Sequence, residues 1–201
     1  TNVTFILNGM ISGTGGLEKT GPGILVLNTQ NISGNYNTYQ DSTRIRNGTL
    51  TVNAGSNMGT GPLVMYQLSS RPTTLNLNNT AQTVSSIATQ WTNTSGTYAQ
   101  TINLASGHIF TINQNVNTTY GNYGTSTTLT GVIAGAGNVI KSGTGTLSLT
   151  GPNTYTGLTQ IKGGVLQLNR SGGTTLPSTN NVDVIRGTLQ VTSNQTLQNV
   201  T

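Results

Sequence analysis

The sequence predicts an all-β protein of the parallel β-helix class, a β-solenoid in which short strands stack in successive coils. The first observation is an internal repeat, because residues 11–27 return as residues 133–149 at an offset of 122 positions. The copy continues through residues 45–53 and 161–169. The second observation is a series of apolar doublets at regular spacing. A repeat of supersecondary size indicates a stacked array rather than an ordinary globular domain.

Each doublet has an apolar–x–apolar pattern, which places two side chains on the same face of a strand. Successive doublets recur at intervals of about 19 to 27 residues along much of the chain, typical of one coil of a parallel β-helix. Antiparallel sandwiches show turn signals at shorter intervals and give no reason for identical motifs to recur. We therefore expect each doublet to stack over the last in inward columns. The doublets are Leu25/Leu27, Leu50/Val52, Leu75/Leu77, Ile102/Leu104, Phe110/Ile112, Leu147/Leu149, Leu166/Leu168 and Leu189/Val191.

Composition narrows the class of protein further. Only 5% of the residues are charged, while Thr, Val and Ile are frequent, which favours β-structure over disorder. The net charge of +5 is scattered without a run of Lys or Arg, so no nucleic-acid partner is predicted. The chain has no cysteine and no apolar stretch of roughly 18 residues, so neither disulfides nor a transmembrane segment is expected.

Three asparagines directly follow doublets at a spacing of 25 residues, namely Asn28, Asn53 and Asn78. In stacked coils they lie one above another, where their side-chain amides form a hydrogen-bonded ladder. The alternative is that asparagine is simply common in turns, because it tolerates the left-handed conformation. Both interpretations stay open at this point.

Residues 135–157 read G-A-G-N-V-I-K-S-G-T-G-T-L-S-L-T-G-P-N-T-Y-T-G. This segment resembles the autotransporter-associated β-strand repeat, whose loose pattern is G-x-G-x-L-x-K-x-G-x-G-x-L-x-L-x-G-x-N-x-Y-x-G followed by a G-T-L-x-L strand. Residues 135–169 fit nearly every position. Residues 13–53 fit most, but Ile32-Ser33-Gly34 stands at the Tyr-Thr-Gly position and about seven extra residues follow. The resemblance implies a right-handed β-helix on an exported protein, located outside the cell or on the bacterial cell surface.

We expect residues 1–201 to form a single β-helix segment, made of two divergent repeats at about 7–88 and 129–201 and a linking coil segment at 89–128. The repeat starts partway through a period, and neither end shows the polar coil that caps a solenoid. The expected partners at the ends are therefore adjoining repeats of a longer chain, or further copies of this chain stacked end to end.

The sequence predicts no catalytic, metal or cofactor-binding residue, and hence no enzyme. The acidic residues Glu18, Asp41 and Asp183 are too few and too scattered for paired acid–base chemistry. His108 has no evident partner for a triad or a metal site. The glycine-rich segments lack the second glycine and the following helix of a phosphate-binding loop.

Weak candidates for surface contact lie in and near the insertion of the first repeat. Arg46 and Arg71 each stand four residues before a doublet leucine, so they are expected to stack on adjacent coils. Such like charges either splay into water or bind an anion such as an acidic glycan. Tyr36, Tyr39 and Arg44 cluster with them, and insertions in solenoids commonly carry variable contacts. The possible external partner is a surface glycan or a host surface.

Together these features predict a non-catalytic extracellular β-solenoid that acts as a rigid stalk or an adhesive surface. The alternative is a subunit of a self-assembling extracellular fibre or sheath, built by end-to-end stacking of solenoids.

Overall fold

The fold, seen in a computed structural model, consists of short β-strands connected by turns. The structure describes residues 3–29, 36–67, 72–91, 99–121 and 131–201. Within these ranges there are twenty strands and no helix, and every strand pair is parallel. The predicted parallel β-helix is confirmed.

In chain order the strands are β1 (Thr4–Leu7), β2 (Leu17–Lys19), β3 (Ile24–Leu27), β4 (Thr43–Ile45), β5 (Gly48–Val52), β6 (Leu63–Gln67), β7 (Thr73–Leu77), β8 (Ala81–Val84), β9 (Ile87–Trp91), β10 (Gln100–Leu104), β11 (Ile109–Asn113), β12 (Thr118–Tyr120), β13 (Val132–Gly135), β14 (Asn138–Ser142), β15 (Thr146–Leu149), β16 (Thr159–Ile161), β17 (Val165–Leu168), β18 (Asn181–Val184), β19 (Thr188–Val191) and β20 (Asn199–Val200).

The strands form three faces. The first face is the sheet β1-β3-β5-β7-β10-β13, and the second face is the sheet β8-β11-β14-β16-β18-β20. The third face consists of two sheets, β2-β4-β6-β9 and β12-β15-β17-β19. These two sheets meet where Thr118 Oγ1 donates to the carbonyl of Ile87 at 2.6 Å and the Gly121 amide donates to Thr89 Oγ1 at 3.1 Å.

The core contains the predicted leucine columns. On the first face Leu50 pairs with both Leu25 and Leu75, and all three side chains are buried. The second residue of each doublet contributes to another buried column, formed by Leu27, Val52 and Leu77 and continued by Leu104. Alternating inward apolar residues on successive parallel strands thus fill the interior.

The expectation that every doublet stacks over the last was wrong, because the later doublets lie on other faces. Phe110/Ile112 is on the second face, in β11, and the doublets in β15, β17 and β19 are on the third face. Strands β3 and β13 both lie on the first face, four coils apart. β15, the counterpart of β3, lies two faces beyond β13 along the chain, on the third face. The offset between the copies is therefore not a whole number of coils.

The same motif consequently occupies different faces in its two copies. In the first copy (residues 13–53), the successive strands β2, β3, β4 and β5 lie alternately on the third and first faces. In the second copy (residues 135–169), the corresponding strands β14, β15, β16 and β17 lie alternately on the second and third faces. The second copy is rotated by one face relative to the first.

The insertion of the first copy lies elsewhere than the sequence comparison placed it. Asn37 Oδ1 accepts from the Ile11 amide at 2.7 Å, as Asn153 Oδ1 does from the Ile133 amide at 2.8 Å. Asn37-Thr38-Tyr39 is therefore the counterpart of Asn153-Thr154-Tyr155. The alignment of Tyr155-Thr156-Gly157 with Ile32-Ser33-Gly34, residues that lie outside the described ranges, was wrong. The asparagine that bonds the preceding coil in the first copy is Asn37, and Tyr39 follows it as Tyr155 follows Asn153.

Candidate functional site

Tyr39 was predicted as a surface contact within the insertion, and the structure corrects this. Its side chain is 2% exposed, and its hydroxyl is 2.5 Å from Thr43 Oγ1. The counterpart Tyr155 makes the same contact with Thr159 Oγ1 at 2.6 Å. Burial raises the pKa of Tyr39, and the Thr43 bond partly opposes this shift. Tyr39 belongs to the core because the inserted residues precede it in the chain.

The other candidates lie on or near the surface of the first copy. Tyr36 is 44% exposed, while Arg44 and Arg46 are partly exposed. Arg71 lies outside the described residues, so its predicted stacking over Arg46 stays a prediction. Tyr36 lies beside a surface groove, whereas the two arginines belong to a separate cluster of charged residues.

This charged cluster is built on the paired strands β2 and β4, where Glu18 is in register with Arg44. Arg46 Nε lies 3.0 Å from Glu18 Oε1, and its guanidinium stacks over the Tyr66 ring at 4.1 Å from the centroid. Arg44 Nη2 lies 3.7 Å from Asp41 Oδ2. Exposed pairs of this kind contribute little to stability, so the cluster is mainly a feature of the surface.

The charged cluster is specific to the first copy. In the second copy, uncharged residues replace all of its members except Arg46, whose counterpart is a lysine. The residues corresponding to Glu18, Arg44, Arg46 and Tyr66 are Ile140, Gln160, Lys162 and Ile185.

A pair of buried lysines, Lys19 and Lys141, was missed by the sequence analysis. Lys19 is 6% exposed, and its Nζ donates to the carbonyls of Thr20, Gly21 and Asn47 at 2.9, 2.8 and 3.0 Å. An ammonium group has three protons and no acceptor, so three carbonyls satisfy it completely.

Lys141 of the second copy is fully buried in the same arrangement. Its Nζ donates to the carbonyls of Ser142, Gly143 and Gly163 at 2.6, 3.3 and 3.2 Å. Burial lowers the pKa of both lysines. The available signal in the sequence was the Lys-x-Gly spacing shared by the two copies. In the structure these glycines, Gly21 and Gly143, have φ of 76° and 75°, a left-handed conformation that favours glycine. We call each buried lysine with its three carbonyl partners a lysine cage. The two lysine cages lie at corresponding corners of the two copies.

The asparagines occupy the strand-to-turn corner of the first face. Asn53 Nδ2 donates to Asn28 Oδ1 at 3.0 Å, and Asn28 Nδ2 donates to Asn8 Oδ1 at 2.9 Å. Asn78 is exposed, and within the described ranges its side chain forms no hydrogen bond to Asn53. The amide series thus contains Asn8, which the sequence analysis did not include.

His108 and the carboxylates lie far apart along the chain, and His108 and Asp183 are hydrogen-bonded to neighbouring residues. His108 is fully buried, with Nδ1 2.6 Å from the carbonyl of Asn79. Burial lowers the pKa of His108, and the bond to Asn79 opposes this shift. Asp183 accepts from Gln160 and Thr201. In the part of the chain that the structure describes, no three His, Cys, Asp or Glu residues group closely enough to hold a metal ion.

The described residues also contain no helix of sufficient length and apolarity to cross a membrane. Coils with polar outer faces, two corresponding motif copies and a leucine-rich interior define the molecule as a repeat-built parallel β-helix.

Comparison with known proteins identifies the repeat. The passenger-associated-transport-repeat family matches residues 17–52 and 139–168. The chain is also 35% identical over 172 residues to the Adhesin BmaC autotransporter of Brucella suis biovar 1 (strain 1330). This similarity covers 83% of the chain and 4% of the length of that protein. No solved structure matches significantly.

The chain is therefore a repeat segment of the autotransporter passenger type, as its motifs predicted. Such a segment belongs outside the cell, on the bacterial cell surface.

Proposed function

We propose that this segment is a non-catalytic, rigid and adhesive part of an exported passenger, and that its outer faces contact a host surface or a surface glycan. The observation that carries the proposal is the similarity to an adhesin across 83% of the chain. This similarity spans 172 residues, well beyond the two repeat motifs at residues 17–52 and 139–168.

The fold supports the stiffness that such a role needs. On the first face, hydrogen-bonded strands run from β1 to β13 without interruption. Beneath them the leucine columns are fully buried along most of their length. Each coil is therefore held by its neighbours on both sides, as in other solenoids.

The outer faces support contact with a polar partner. Asn103 Nδ2 donates to Asn76 Oδ1 at 2.8 Å, and Asn76 in turn donates to Thr51 Oγ1 at 3.3 Å. On the third face, Gln167 Nε2 donates to Gln190 Oε1 at 3.2 Å. Amides and hydroxyls donate and accept hydrogen bonds without carrying charge, so these faces suit neutral polar partners.

The titratable groups support a non-catalytic role. His108 is enclosed, while Glu18 and Asp41 each pair with an arginine. Acid–base catalysis requires a group within hydrogen-bonding reach of a substrate, and these side chains are committed to other contacts.

We also propose that the two repeats and the linking segment 89–128 form one β-helical unit. The pairing of β7 with β10 and of β10 with β13 supports this, because it joins the first repeat to the second through the linking segment.

The adhesive role is tested by coating beads with the segment and counting beads retained by epithelial cells under flow. Beads carrying the folded segment should be retained well above beads carrying the Leu50→Asp variant, whose core is disrupted. Equal retention of the two preparations would refute the proposal.

A further inference from the structure

Two surface grooves lie at corresponding turns of the two copies. The first groove has a volume of about 440 Å³ and lies along the turns that follow β5 and β7, with Tyr36 at its side. The second groove has a volume of about 580 Å³ and lies along the turns that follow β17 and β19. Since β17 and β19 are the counterparts of β5 and β7, the groove is a recurring feature of the motif.

The two grooves differ in chemistry. Every described residue that lines the first groove is uncharged, and the partly exposed Tyr36 ring is joined by the Asn57 amide and the hydroxyls of Thr60 and Thr83. The second groove has no aromatic residue in its described lining and contains Arg170, whose Nη1 donates to the carbonyl of Thr174 at 2.9 Å.

Two of the residues that line the first groove have an enclosed polar atom without a described protein partner. Ser56 and Asn79 line it and are 3% and 4% exposed. Within the described ranges, Ser56 Oγ and Asn79 Oδ1 have no hydrogen-bond partner. The Asn79 amide is held in place, because its Nδ2 donates to the carbonyls of Ser56 and Ala81 at 3.0 and 2.8 Å. Buried polar atoms without a protein partner point to a bound water or a polar ligand.

We propose that the first groove is a binding site for a neutral saccharide. Tyr36 offers a flat, rigid and amphipathic ring that packs against the C–H face of a sugar. The surrounding hydroxyl and amide groups match the mixed donors and acceptors of sugar hydroxyls. The described part of the lining is uncharged, so it provides no ion pair for a sialylated or sulfated sugar. The volume lies in the range of small-molecule sites and accommodates a short saccharide.

This inference rests on the proposed adhesive function and names the partner class of one surface. It differs from the anionic partner considered for Arg46 and Arg71, because none of the described charged residues of that cluster lines the groove.

The test is a titration of the ¹⁵N-labelled segment with methyl β-glucoside, methyl β-galactoside and N-acetylglucosamine, with N-acetylneuraminic acid as the charged probe. At least one neutral sugar should shift the backbone amides of Asn57, Thr80 and Thr83 in a saturable manner. Tyr36→Ala should weaken binding about tenfold, and Tyr36→Phe should stay within about twofold of the parent because it keeps the ring.

Arg170→Ala, in the second groove, is the matched control and should leave binding unchanged. The proposal is overturned if no neutral sugar shifts these amides, if Tyr36→Ala binds as well as the parent, or if N-acetylneuraminic acid binds as tightly as the neutral sugars. Spectral dispersion reports whether each variant is folded.

The bead assay separates the two proposals. If beads carrying the parent and the Tyr36→Ala variant are retained equally, the saccharide site is refuted as an adhesive contact while the adhesive function stands. If saccharide titration succeeds but beads are not retained, the site stands and the adhesive function is refuted.

Discussion

The first and second copies of the motif share their interior but differ in the faces they occupy and in their surface charge. Each has a lysine held by three carbonyls, a buried tyrosine bonded to a threonine, and an asparagine that caps an amide of the preceding coil. The first copy nevertheless uses the third and first faces, and the second uses the second and third faces. The motif therefore determines how a corner is built, and its position along the chain determines which face it occupies.

The glycine that begins β5 and the glycine just before its counterpart β17 show why the corner is conserved between the copies. Gly48 and Gly164 have φ of 71° and 64°. A Cβ at Gly48 would collide with the carbonyl oxygen of Gly23 in the preceding coil, and a Cβ at Gly164 would collide with that of Gly145. Both positions combine a left-handed backbone with close stacking, which favours glycine.

The largest expected effect comes from placing a charge in the shared core. Leu50→Asp and its counterpart Leu166→Asp should each lower the free energy of unfolding by at least about 4 kcal/mol, because both sites are fully buried. Urea unfolding of the two variants measures this. Leu50→Ala and Leu166→Ala, expected to cost about 3 kcal/mol each, extend the comparison to variants that stay folded. If the substitutions lower the free energy of unfolding at only one of the two positions, the two cores are not equivalent.

The lysine cages should give the next largest effect. Lys19→Met and Lys141→Met keep the aliphatic stem but leave three carbonyls without their shared donor, so each should cost about 2–3 kcal/mol. The exposed Lys162 supplies the control, since Lys162→Met should leave the urea midpoint unchanged. If both cage variants behave like this control, the cages do not stabilise the corners.

The tyrosine–threonine contact offers a smaller and closely matched comparison. Tyr39→Phe and Tyr155→Phe each remove one buried hydroxyl whose partner is a threonine hydroxyl. Each change should cost about 1 kcal/mol. If the midpoint of thermal unfolding falls for Tyr155→Phe but not for Tyr39→Phe, Tyr39 lies in the surface insertion, as the sequence analysis predicted.

His108, between the copies, should make stability depend on pH. Because burial lowers its pKa, the unfolded chain binds a proton below its usual value of 6.5 while the folded chain does not. Stability should therefore fall as the pH decreases from 7 to 5.5, by at most about 1 kcal/mol. His108→Gln should flatten this dependence, because the chain has no other histidine. An identical slope in the variant would assign the effect to other groups.

Periodicity was enough to predict the fold and the first leucine columns, because burial of alternate residues repeats with each coil. It was not enough to predict the rotation between the copies, since that depends on the summed lengths of irregular turns. Tyr39 was misassigned because the insertion shifted its partner by six positions, from an offset of 122 at Lys19 and Lys141 to 116 at Tyr39 and Tyr155.

The lysine cages were missed for a different reason. A lysine beside a glutamate on a strand normally indicates a solvated pair, and only the carbonyls of the next coil reveal a buried one. The sequence also could not predict the uncharged groove around Tyr36, because its described walls come from three separate segments of the chain.

The rotation by one face is most directly tested by disulfide trapping, which is clean because the chain has no cysteine. Thr119 and Ser148 are register partners on the third face, at the separation of adjacent strands that a disulfide can bridge. Thr119→Cys combined with Ser148→Cys should cross-link on mild oxidation, whereas Ala134→Cys combined with Ser148→Cys should not, because Ala134 lies on the first face. Cross-linking of Ser148 to Ala134 and not to Thr119 would place both copies on the same faces and contradict the account.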